Sequence, residues 1–292
     1  MTTTGIGPSD TFDPTGGIEA RRVSIGELDL SVLEAGAGGL PLLLVHGFTG
    51  AKEDFGVEVA RFAELGFHAV APDHRGHGDS DHPGHEDAYS FDTFALDMIG
   101  LADALGWQRF DVLGHSMGGM IVQRLVTRQP HRVGRMILMD THHGPVADLD
   151  TEMLELGVHL ARTEGMAVIQ EVLKAGADPL ANPAHQRLCD EVPGYEEWCD
   201  DKFLAASPSM FASMLRRFHE TPDRLEELRS LRCETLVVVG ELDRPFLGAS
   251  RRMTDAIAGA ELAVIPGAGH SPQMEATEAW RAAVDAFLRR GR

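Results

Sequence analysis

Six short, continuous apolar runs, separated by stretches of helical periodicity, most constrain the fold of this chain. Such runs are typical of parallel strands that are buried on both faces of a sheet. The six runs are residues 41–45, 68–71, 110–113, 136–139, 236–239 and 262–265. Because strands that alternate with helices build mainly parallel sheets, the sequence predicts an α/β domain with a doubly wound sheet.

The segments around these runs carry their own local signals. One apolar stripe with helical spacing follows Ser90, a suitable N-cap residue, and consists of Phe94, Met98, Leu101 and Leu105. A second stripe, near the C-terminus, consists of Trp280, Val284, Phe287 and Leu288. Ahead of the first apolar run, residues 22–25 and 28–33 are predicted to pair as a hairpin across Gly26 and Glu27.

The region from residue 145 to residue 232 interrupts the alternation, because it contains no strand-like run. Its apolar residues recur at helical spacing instead. One strongly apolar stripe consists of Met210, Phe211, Met214, Leu215 and Phe218. We therefore predict a core of residues 19–144 and 233–292, with residues 145–232 inserted as a helical cap. Residues 1–18 are rich in Thr, Gly, Pro and Ser and are expected to form a flexible tail.

The charge and the N-terminus restrict the partners of the protein. The 292 residues include 26 Lys and Arg and 45 Asp and Glu, so the formal net charge is −19. Such a surface repels nucleic-acid phosphates and anionic lipid headgroups. The sequence has no signal-peptide pattern and no stretch near the ~20 apolar residues that span a bilayer. We expect a cytoplasmic protein without nucleic-acid partners or a membrane span; its oligomeric state stays open.

The number of cysteines is consistent with a cytoplasmic protein. Cys189, Cys199 and Cys233 are too few, and odd in number, for a disulfide framework. Reduced thiols are expected in a cytosolic protein, and a Cys189–Cys199 bridge is the alternative.

Ser116 lies in the sequence Gly114-His115-Ser116-Met117-Gly118, between an apolar run and an apolar helical stretch. A sharp strand-to-helix turn of this Gly-x-Ser-x-Gly type lifts the serine hydroxyl clear of the sheet, and the glycines avoid collisions across the turn. The backbone N–H of Met117, at the helix N-terminus, then faces a developing oxyanion. We predict that Ser116 is a nucleophile; the alternative is a turn in which Ser116 only caps the helix.

A serine nucleophile needs a base, and that base needs an orienting carboxylate. His270 follows the last apolar run in a glycine-rich loop, from which its side chain can return over the edge of the sheet. An exposed loop histidine is the alternative. Asp243 lies just beyond the fifth run, with Glu241 on the same loop, while Asp140 at the end of the fourth run is a competitor. We predict that Ser116, His270 and Asp243 form a catalytic triad.

Four separated motifs resemble those of the α/β-hydrolase fold superfamily, in its capped branch of serine esterases, lipases and C–C hydrolases. They are His46-Gly47-Phe48, Asp73-His74-Arg75-Gly76-His77-Gly78-Asp79-Ser80, Gly114-His115-Ser116-Met117-Gly118-Gly119, and Asp243 with Gly269-His270. The order Ser, Asp, His along the chain is also that of the superfamily. The resemblance covers nearly the whole chain from about residue 20.

The resemblance implies further roles. The backbone N–H of Phe48 would be the second oxyanion donor, the helical insertion would cover the active site, and residues 73–80 would form a structural turn near the pocket rim. The expected substrate pocket consists of Phe48, Met117, Trp198, Phe211 and Met214. For the three cap residues, packing within the cap is the alternative. Because some apolar cap surface must face the cleft, we expect a substrate with an apolar portion.

Histidines and acidic residues are concentrated between residues 73 and 87, as in some metal sites. Their spacing matches no metallohydrolase motif such as His-x-His-x-Asp-His. We therefore expect a flexible acidic loop, no metal and no cofactor.

Together these residues predict a serine hydrolase that cleaves a carboxylic ester through an acyl-enzyme. In this superfamily the same triad also hydrolyses C–C bonds and lactones, and both activities are alternatives. Ser271, rather than an aromatic residue, follows His270, which argues against cleavage of aromatic ring-fission products. A serine at position 116 argues against dehalogenases and epoxide hydrolases of this fold, which usually use Asp. A receptor that binds a small ligand without turnover is the alternative from another class.

Overall fold

The computed structural model describes residues 12–145, 151–177 and 180–290. Its strands are β1 Arg21–Ile25, β2 Leu28–Ala35, β3 Leu40–Val45, β4 Phe67–Pro72, β5 Phe110–His115, β6 Val133–Met139, β7 Glu234–Gly240 and β8 Glu261–Ile265. They form one sheet in the order β1-β2-β4-β3-β5-β6-β7-β8. The β1–β2 and β2–β4 pairs are antiparallel, and every pair from β4 to β8 is parallel. The predicted, mainly parallel α/β sheet is confirmed.

Helices flank and connect these strands. They are α1 Gly56–Glu64, α2 Phe91–Ala104, α3 Met117–Arg128, α4 Thr151–Thr163, α5 Met166–Val172, α6 Pro183–Glu191, α7 Tyr195–Leu204, α8 Pro208–Glu220, α9 Leu225–Leu228, α10 Arg244–Ala256, α11 Pro272–Glu275 and α12 Thr277–Leu288. Short 3-10 turns lie at Lys52–Phe55, Glu86–Ala88 and Pro130–Arg132, and a π turn lies at Leu173–Ala177.

Two apolar clusters cover the two faces of the sheet, because alternate side chains of a strand point to opposite sides. In β3, Leu43 and Val45 join one cluster with residues of α2, α3 and α10. Leu42 and Leu44 join the other cluster with residues of α1 and α12. All four side chains are fully buried. The continuous apolar runs of the sequence therefore follow from helices on both faces.

The local predictions at the ends of elements agree with the structure. Ser90 caps α2, and its Oγ accepts a hydrogen bond from the Thr93 N–H at 3.0 Å. The first two strands form the predicted hairpin, in which Gly26 has a φ of 78°. Because this φ lies in the left-handed region, glycine suits the turn.

Six helices, α4 to α9, lie between β6 and β7, in the region where the sequence predicts a helical insertion. Residues 1–11 of the expected tail lie outside the described residues. The remainder of that tail begins with Phe12, whose ring lies 5.4 Å from Tyr195 and 5.3 Å from Trp198 of α7. Asp13 then holds a turn by accepting hydrogen bonds from Thr15 and Gly17.

Two further features concern the described residues as a whole. None of their helices is both long and apolar enough to cross a bilayer. Cys189, Cys199 and Cys233 are free thiols, so the alternative Cys189–Cys199 bridge does not form.

Candidate active site

Ser116 occupies a strained turn between β5 and α3. Its φ of 53° and ψ of −118° place a non-glycine residue at positive φ, a conformation that proteins retain where surrounding contacts enforce it. The Ser116 N–H donates to Met139 O at 2.9 Å, and Thr141 Oγ1 donates to Ser116 O at 2.6 Å. The end of β6 therefore holds the serine backbone from both sides.

The glycines around Ser116 allow this turn to pack closely. A Cβ at Gly114 would lie 2.5 Å from Gly118 O, and a Cβ at Gly118 would lie 2.2 Å from Val45 O. A Cβ at Gly47 would lie 3.1 Å from the Ser116 Cβ. The segment after β3 thus passes directly over the serine, with no room for larger residues.

His270 and Asp243 form a hydrogen-bonded pair at the same edge of the sheet. His270 Nδ1 lies 2.8 Å from Asp243 Oδ2, and the Asp243 side chain is only 3% exposed. Asp243 follows β7 and immediately precedes α10, while His270 lies in the loop after β8. Since a carboxylate only accepts, Nδ1 carries a proton, which leaves Nε2 as the basic nitrogen.

His115, next to the candidate nucleophile, links Ser116 to this pair. Its Nε2–H donates to the backbone oxygen of His270 at 2.7 Å, and the two rings lie 5.0 Å apart. Burial, reinforced by the nearby His270, lowers the pKa of His115 to about 4. His115 therefore stays neutral near pH 7 and acts as a fixed hydrogen-bond donor to the His270 loop. From the sequence, His115 was only the variable residue of the Gly-x-Ser-x-Gly motif.

Phe246 and Glu275 also support His270 and were missed from the sequence. The Phe246 ring lies 4.7 Å from the His270 ring, and the buried Glu275 carboxylate accepts the Gly269 N–H. Phe246 belongs to the first turn of the helix that follows Asp243, and Glu275 ends the short helix after His270. Both residues lie close in sequence to the predicted acid and base, and this closeness is the sequence feature that could have identified them.

Two backbone N–H groups, those of Phe48 and Met117, are the predicted oxyanion donors. Neither donates a hydrogen bond to any residue within 12–145, 151–177 or 180–290. Met117 begins α3, where helix geometry leaves the first N–H groups without an internal acceptor. Thr49 beside Phe48 has a φ of 53°. Both N–H groups are available to a ligand at the turn around Ser116.

Residues 46–51, here called the oxyanion loop, are braced by buried polar groups. His46 Nδ1–H donates to Gly47 O at 2.8 Å, and His46 Nε2 accepts the His74 N–H at 3.1 Å. At the other end, Asp54 Oδ2 accepts the Ala51 N–H at 3.2 Å. These bonds fix the backbone on either side of Phe48.

The Phe48 side chain packs against the helical insertion. Its ring lies 4.9 Å from Phe211 and 5.2 Å from Phe218, both on α8. Phe211 is 5% exposed and lies in the same apolar cluster as the fully buried Met117 and Met214. Four of the five expected pocket residues therefore lie in or against one apolar cluster beside Ser116.

Trp198, the fifth expected pocket residue, has a different neighbourhood. Its ring packs against Phe12 and Tyr195, and Lys202 Nζ lies 4.0 Å from its centroid. These contacts lie within α7 and the N-terminal segment, and a role for Trp198 in substrate binding stays a prediction.

The expectation of a flexible acidic loop within residues 73–87 is wrong for residues 73–80, where the structural turn implied by the resemblance agrees with the structure. Asp73 is fully buried, and its carboxylate accepts the Lys52 backbone N–H at 2.7 Å and the Lys52 Nζ at 2.9 Å. Gly78, at a φ of 46°, lies so close that a Cβ there would be 2.3 Å from Asp73 Oδ2. The loop is instead a rigid turn, since its buried charge is paired with Lys52 and its glycine allows close contact.

The insertion docks on this turn through Gly76. The Ser207 N–H, just before α8, donates to Gly76 O at 2.8 Å. A Cβ at Gly76 would lie 2.6 Å from the Tyr89 ring and 2.9 Å from the Met210 Cβ. The turn therefore sets the position of α8, which carries the aromatic residues against Phe48.

A cavity of about 280 Å³ lies away from this chemistry. It is lined by residues of α1, α6, α11 and α12, together with Phe12 and Tyr195. Ser116, Asp243 and His270 do not border it.

The arrangement can perform nucleophilic acyl chemistry. The residue before the strained serine, His115, bonds to the His270 backbone of the His–Asp pair, and the N–H groups of Phe48 and Met117 have no acceptor among the described residues. These are the components that activate a hydroxyl and hold an oxyanion.

Comparison with known proteins agrees with this fold. Residues 41–169 match the family model described as alpha/beta hydrolase fold. A 2-hydroxymuconate semialdehyde hydrolase of Pseudomonas putida is 30% identical over 259 residues, which cover 86% of this chain and 87% of that protein. A 2-hydroxy-6-oxo-2,4-heptadienoate hydrolase of Pseudomonas putida strain F1 is 27% identical, covering 92% of this chain and 95% of that protein.

Among solved structures, a thermophilic esterase from Thermogutta terrifontis superposes with a TM-score of 0.77 and is 28% identical. The match covers 93% of this chain and 98% of the esterase. Similar proteins over most of their length thus include hydrolases of a muconate semialdehyde and of an oxo-heptadienoate, and an esterase.

Proposed function

Because the chain belongs to the α/β-hydrolase fold family of enzymes, we propose that it is a serine hydrolase that attacks the carbonyl carbon of a small, partly apolar ester. The observation that carries the proposal is the 2.8 Å hydrogen bond between His270 Nδ1 and Asp243 Oδ2, in a loop that His115 joins to the strained turn at Ser116. A loop histidine without a catalytic role would not need a buried carboxylate partner. A serine that only caps a helix would not need a strained backbone.

The proposed reaction begins with proton transfer from Ser116 Oγ to His270 Nε2 as Oγ forms a bond to the carbonyl carbon. The carbonyl oxygen gains negative charge and is held by the N–H groups of Phe48 and Met117. Protonated His270 then donates its proton to the departing alcohol oxygen, and the bond between the acyl carbon and that oxygen breaks. An acyl group remains on Ser116.

Water completes the cycle. His270 removes a proton from a water molecule whose oxygen attacks the acyl carbon, and Ser116 Oγ leaves with that proton. The carboxylate of Asp243 accepts the Nδ1–H throughout and stabilises the imidazolium that forms twice. No step needs a metal or a cofactor.

The apolar portion of the substrate would lie against Phe48 and α8. The Phe48 ring packs on Phe211 and Phe218, and this surface adjoins the oxyanion loop. A ligand that separates these rings would gain apolar contact without leaving polar groups unpaired. We therefore expect short to medium acyl chains or small rings to be preferred over charged acyl groups.

C–C bond hydrolysis is the second candidate. It is favoured by the two Pseudomonas putida relatives, whose named substrates are a muconate semialdehyde and an oxo-heptadienoate. The same serine, base and oxyanion donors would serve, but the leaving group would be a carbon atom that needs a proton. Ser271 directly follows His270, a position where, by the resemblance stated above, families that cleave aromatic ring-fission products often have an aromatic residue.

A substrate panel tests the proposal. Purified wild type, Ser116→Ala and the matched surface variant Ser230→Ala are assayed on p-nitrophenyl esters, a lactone and a ring-fission dienone. We expect ester turnover by wild type and Ser230→Ala, and none above background by Ser116→Ala. Turnover of the dienone alone would support C–C bond hydrolysis instead of ester hydrolysis. Ester turnover retained in Ser116→Ala would reject the serine mechanism.

A further inference from the structure

Asp140 lies at the end of β6, one strand away from Asp243. It is fully buried and has a φ of 44°, which Asp and Asn tolerate better than most residues. Its N–H donates to Val238 O at 2.9 Å, and its Oδ1 accepts the Gly240 N–H at 2.8 Å. The side chain therefore ties the end of β6 to the end of β7.

The Asp140 carboxyl group lies close to the candidate triad, and its second oxygen is buried. Asp140 Oδ2 receives no hydrogen bond from the part of the chain that the structure describes. One side-chain atom each of Asp140, Asp243 and His270 lies within 4.8 Å of the others. The neighbouring acids Asp243 and Glu275 both disfavour a negative charge on Asp140.

Two adjacent buried carboxylates cannot both be ionised at little cost, so one of them holds a proton. Asp243 already accepts the His270 Nδ1–H and is the better anion. Asp140 Oδ2 has no hydrogen-bond donor among the described residues. Burial, and next the neighbouring Asp243, raise the pKa of Asp140 well above its usual range. The proton therefore resides on Asp140.

We propose that Asp140 is a neutral carboxylic acid whose Oδ2–H donates a hydrogen bond to the Asp243 carboxylate and so positions Asp243 against His270. Asp140 does not touch the substrate, and it acts through Asp243 as a positioning residue. Its catalytic consequence rests on the proposed function, whereas its protonation state does not.

The same side chain also positions the His270 loop. A Cβ at Gly240 would lie only 2.0 Å from Gly269 O and 2.6 Å from Ala268 O, so the end of β7 touches the loop that carries His270. Since Asp140 Oδ1 holds the Gly240 N–H, one carboxyl group fixes both the acid and the backbone beneath the base. A single residue thus joins three strand ends of the site.

Two substitutions separate the roles of the hydrogen bond and the charge. Asp140→Asn keeps an acceptor for Gly240 and a neutral donor for Asp243, whereas Asp140→Gly suits the positive φ but has neither. We expect Asp140→Asn to keep kcat within about threefold of wild type. Asp140→Gly should lose roughly ten- to a hundredfold in kcat with a much smaller change in KM.

The pH dependence of kcat/KM reports on the charge of Asp140, which a purely structural role would leave unchanged. If Asp140 is neutral, Asp140→Asn removes no charge, and the acid limb of kcat/KM stays where it is in wild type and in the surface control Asp255→Asn. A shift of that limb to lower pH in Asp140→Asn alone would mean that a negative charge beside His270 had been lost. That shift, or full activity in Asp140→Gly, would overturn the proposal.

Carboxyl NMR tests the protonation state without any substrate. Wild type and Asp140→Asn are labelled with ¹³C at the aspartate carboxyl carbon, and their spectra are compared at neutral pH. The signal that Asp140→Asn lacks should have the chemical shift of a neutral carboxylic acid. A carboxylate shift for that signal would reject the proposal, even if Asp140→Gly fails to fold and whatever the enzyme hydrolyses.

Discussion

Lys202 of α7 forms an ion pair with Asp54, the residue that braces the oxyanion loop. Lys202 Nζ lies 2.6 Å from Asp54 Oδ1, while Asp54 Oδ2 accepts the Ala51 N–H. The side chains are 21% and 8% exposed, so both are largely withdrawn from water. One carboxylate therefore connects the helical insertion to the loop that carries Phe48.

This ion pair predicts a non-additive effect on stability. Lys202→Met should lower the free energy of unfolding by roughly 1–3 kcal/mol, because it leaves the Asp54 charge buried without its partner. In the double variant with Asp54→Asn, the loss should be smaller than the sum of the two single losses. Urea unfolding of the four proteins measures the coupling; strictly additive losses would show that the pair contributes no interaction.

Asp243 is predicted to orient His270 rather than to take its proton. Asp243→Asn should lower kcat by about 10³–10⁴-fold, because the amide favours the wrong imidazole tautomer. Glu241→Gln is the matched control on the same loop, where Glu241 Oε2 accepts the Gly267 N–H at 2.9 Å. Steady-state kinetics on the best ester should show near wild-type kcat for this control. Equal losses in the two variants would assign the effect to loop stability.

Gly76 is predicted to be required for docking of the insertion. Gly76→Ala should destabilise the protein by roughly 2–4 kcal/mol, because the residue has a φ of 74° and a methyl group would collide with the Tyr89 ring. Gly84→Ala provides the control, since a Cβ there meets no atom within 4 Å. Its effect should be within about 0.5 kcal/mol of zero. Thermal or urea unfolding distinguishes these outcomes, and a neutral Gly76→Ala would contradict the close contact.

Three buried histidines beneath the oxyanion loop predict a loss of stability in acid. Burial lowers the pKa of His74 to about 4, and burial together with neighbouring histidines lowers the pKa of His46 and His77. In the unfolded chain these residues bind protons near pH 6.5, the ordinary value. The unfolded state therefore gains protons first, and the free energy of unfolding falls as the pH drops from about 6.5 to about 4.

His74→Gln removes one of these three titrating side chains. Glutamine can keep the donor to His46 O, which His74 Nε2 now contacts at 3.2 Å, but it does not titrate. Relative to wild type, the variant should lose about 3 kcal/mol less between pH 6.5 and pH 4. Urea unfolding across this range measures both curves. Parallel curves would show that His74 is not held neutral by burial.

The sequence predicts the parts of the fold and site that depend on local patterns. The apolar runs, the Ser90 cap and the turn at Ser116 each lie within a few residues, and they identify strands, a helix start and a strand-to-helix turn. The carboxyl ends of neighbouring parallel strands meet at one edge, which is why Asp243 and His270 were expected to come together. Their hydrogen bond agrees with that expectation.

Contacts between distant segments could not be predicted in the same way. Lys202 and Asp54 are 148 residues apart, and helical periodicity does not say how α7 is oriented over the core. Only the resemblance indicated a structural turn at residues 73–80, because Lys52, the partner of Asp73, lies 21 residues earlier in the chain. Asp140 appeared as a competitor of Asp243, and only the register of β6 and β7 places the two acids side by side.

Site mapping of a covalent label tests whether Ser116 is the nucleophile. Wild-type protein is treated with a fluorophosphonate and digested, and the modified residue is located by tandem mass spectrometry. We expect a single adduct on Ser116, formed much more slowly in His270→Gln and absent in Ser116→Ala. An adduct on any other residue, or labelling of Ser116→Ala at the wild-type rate, would contradict it.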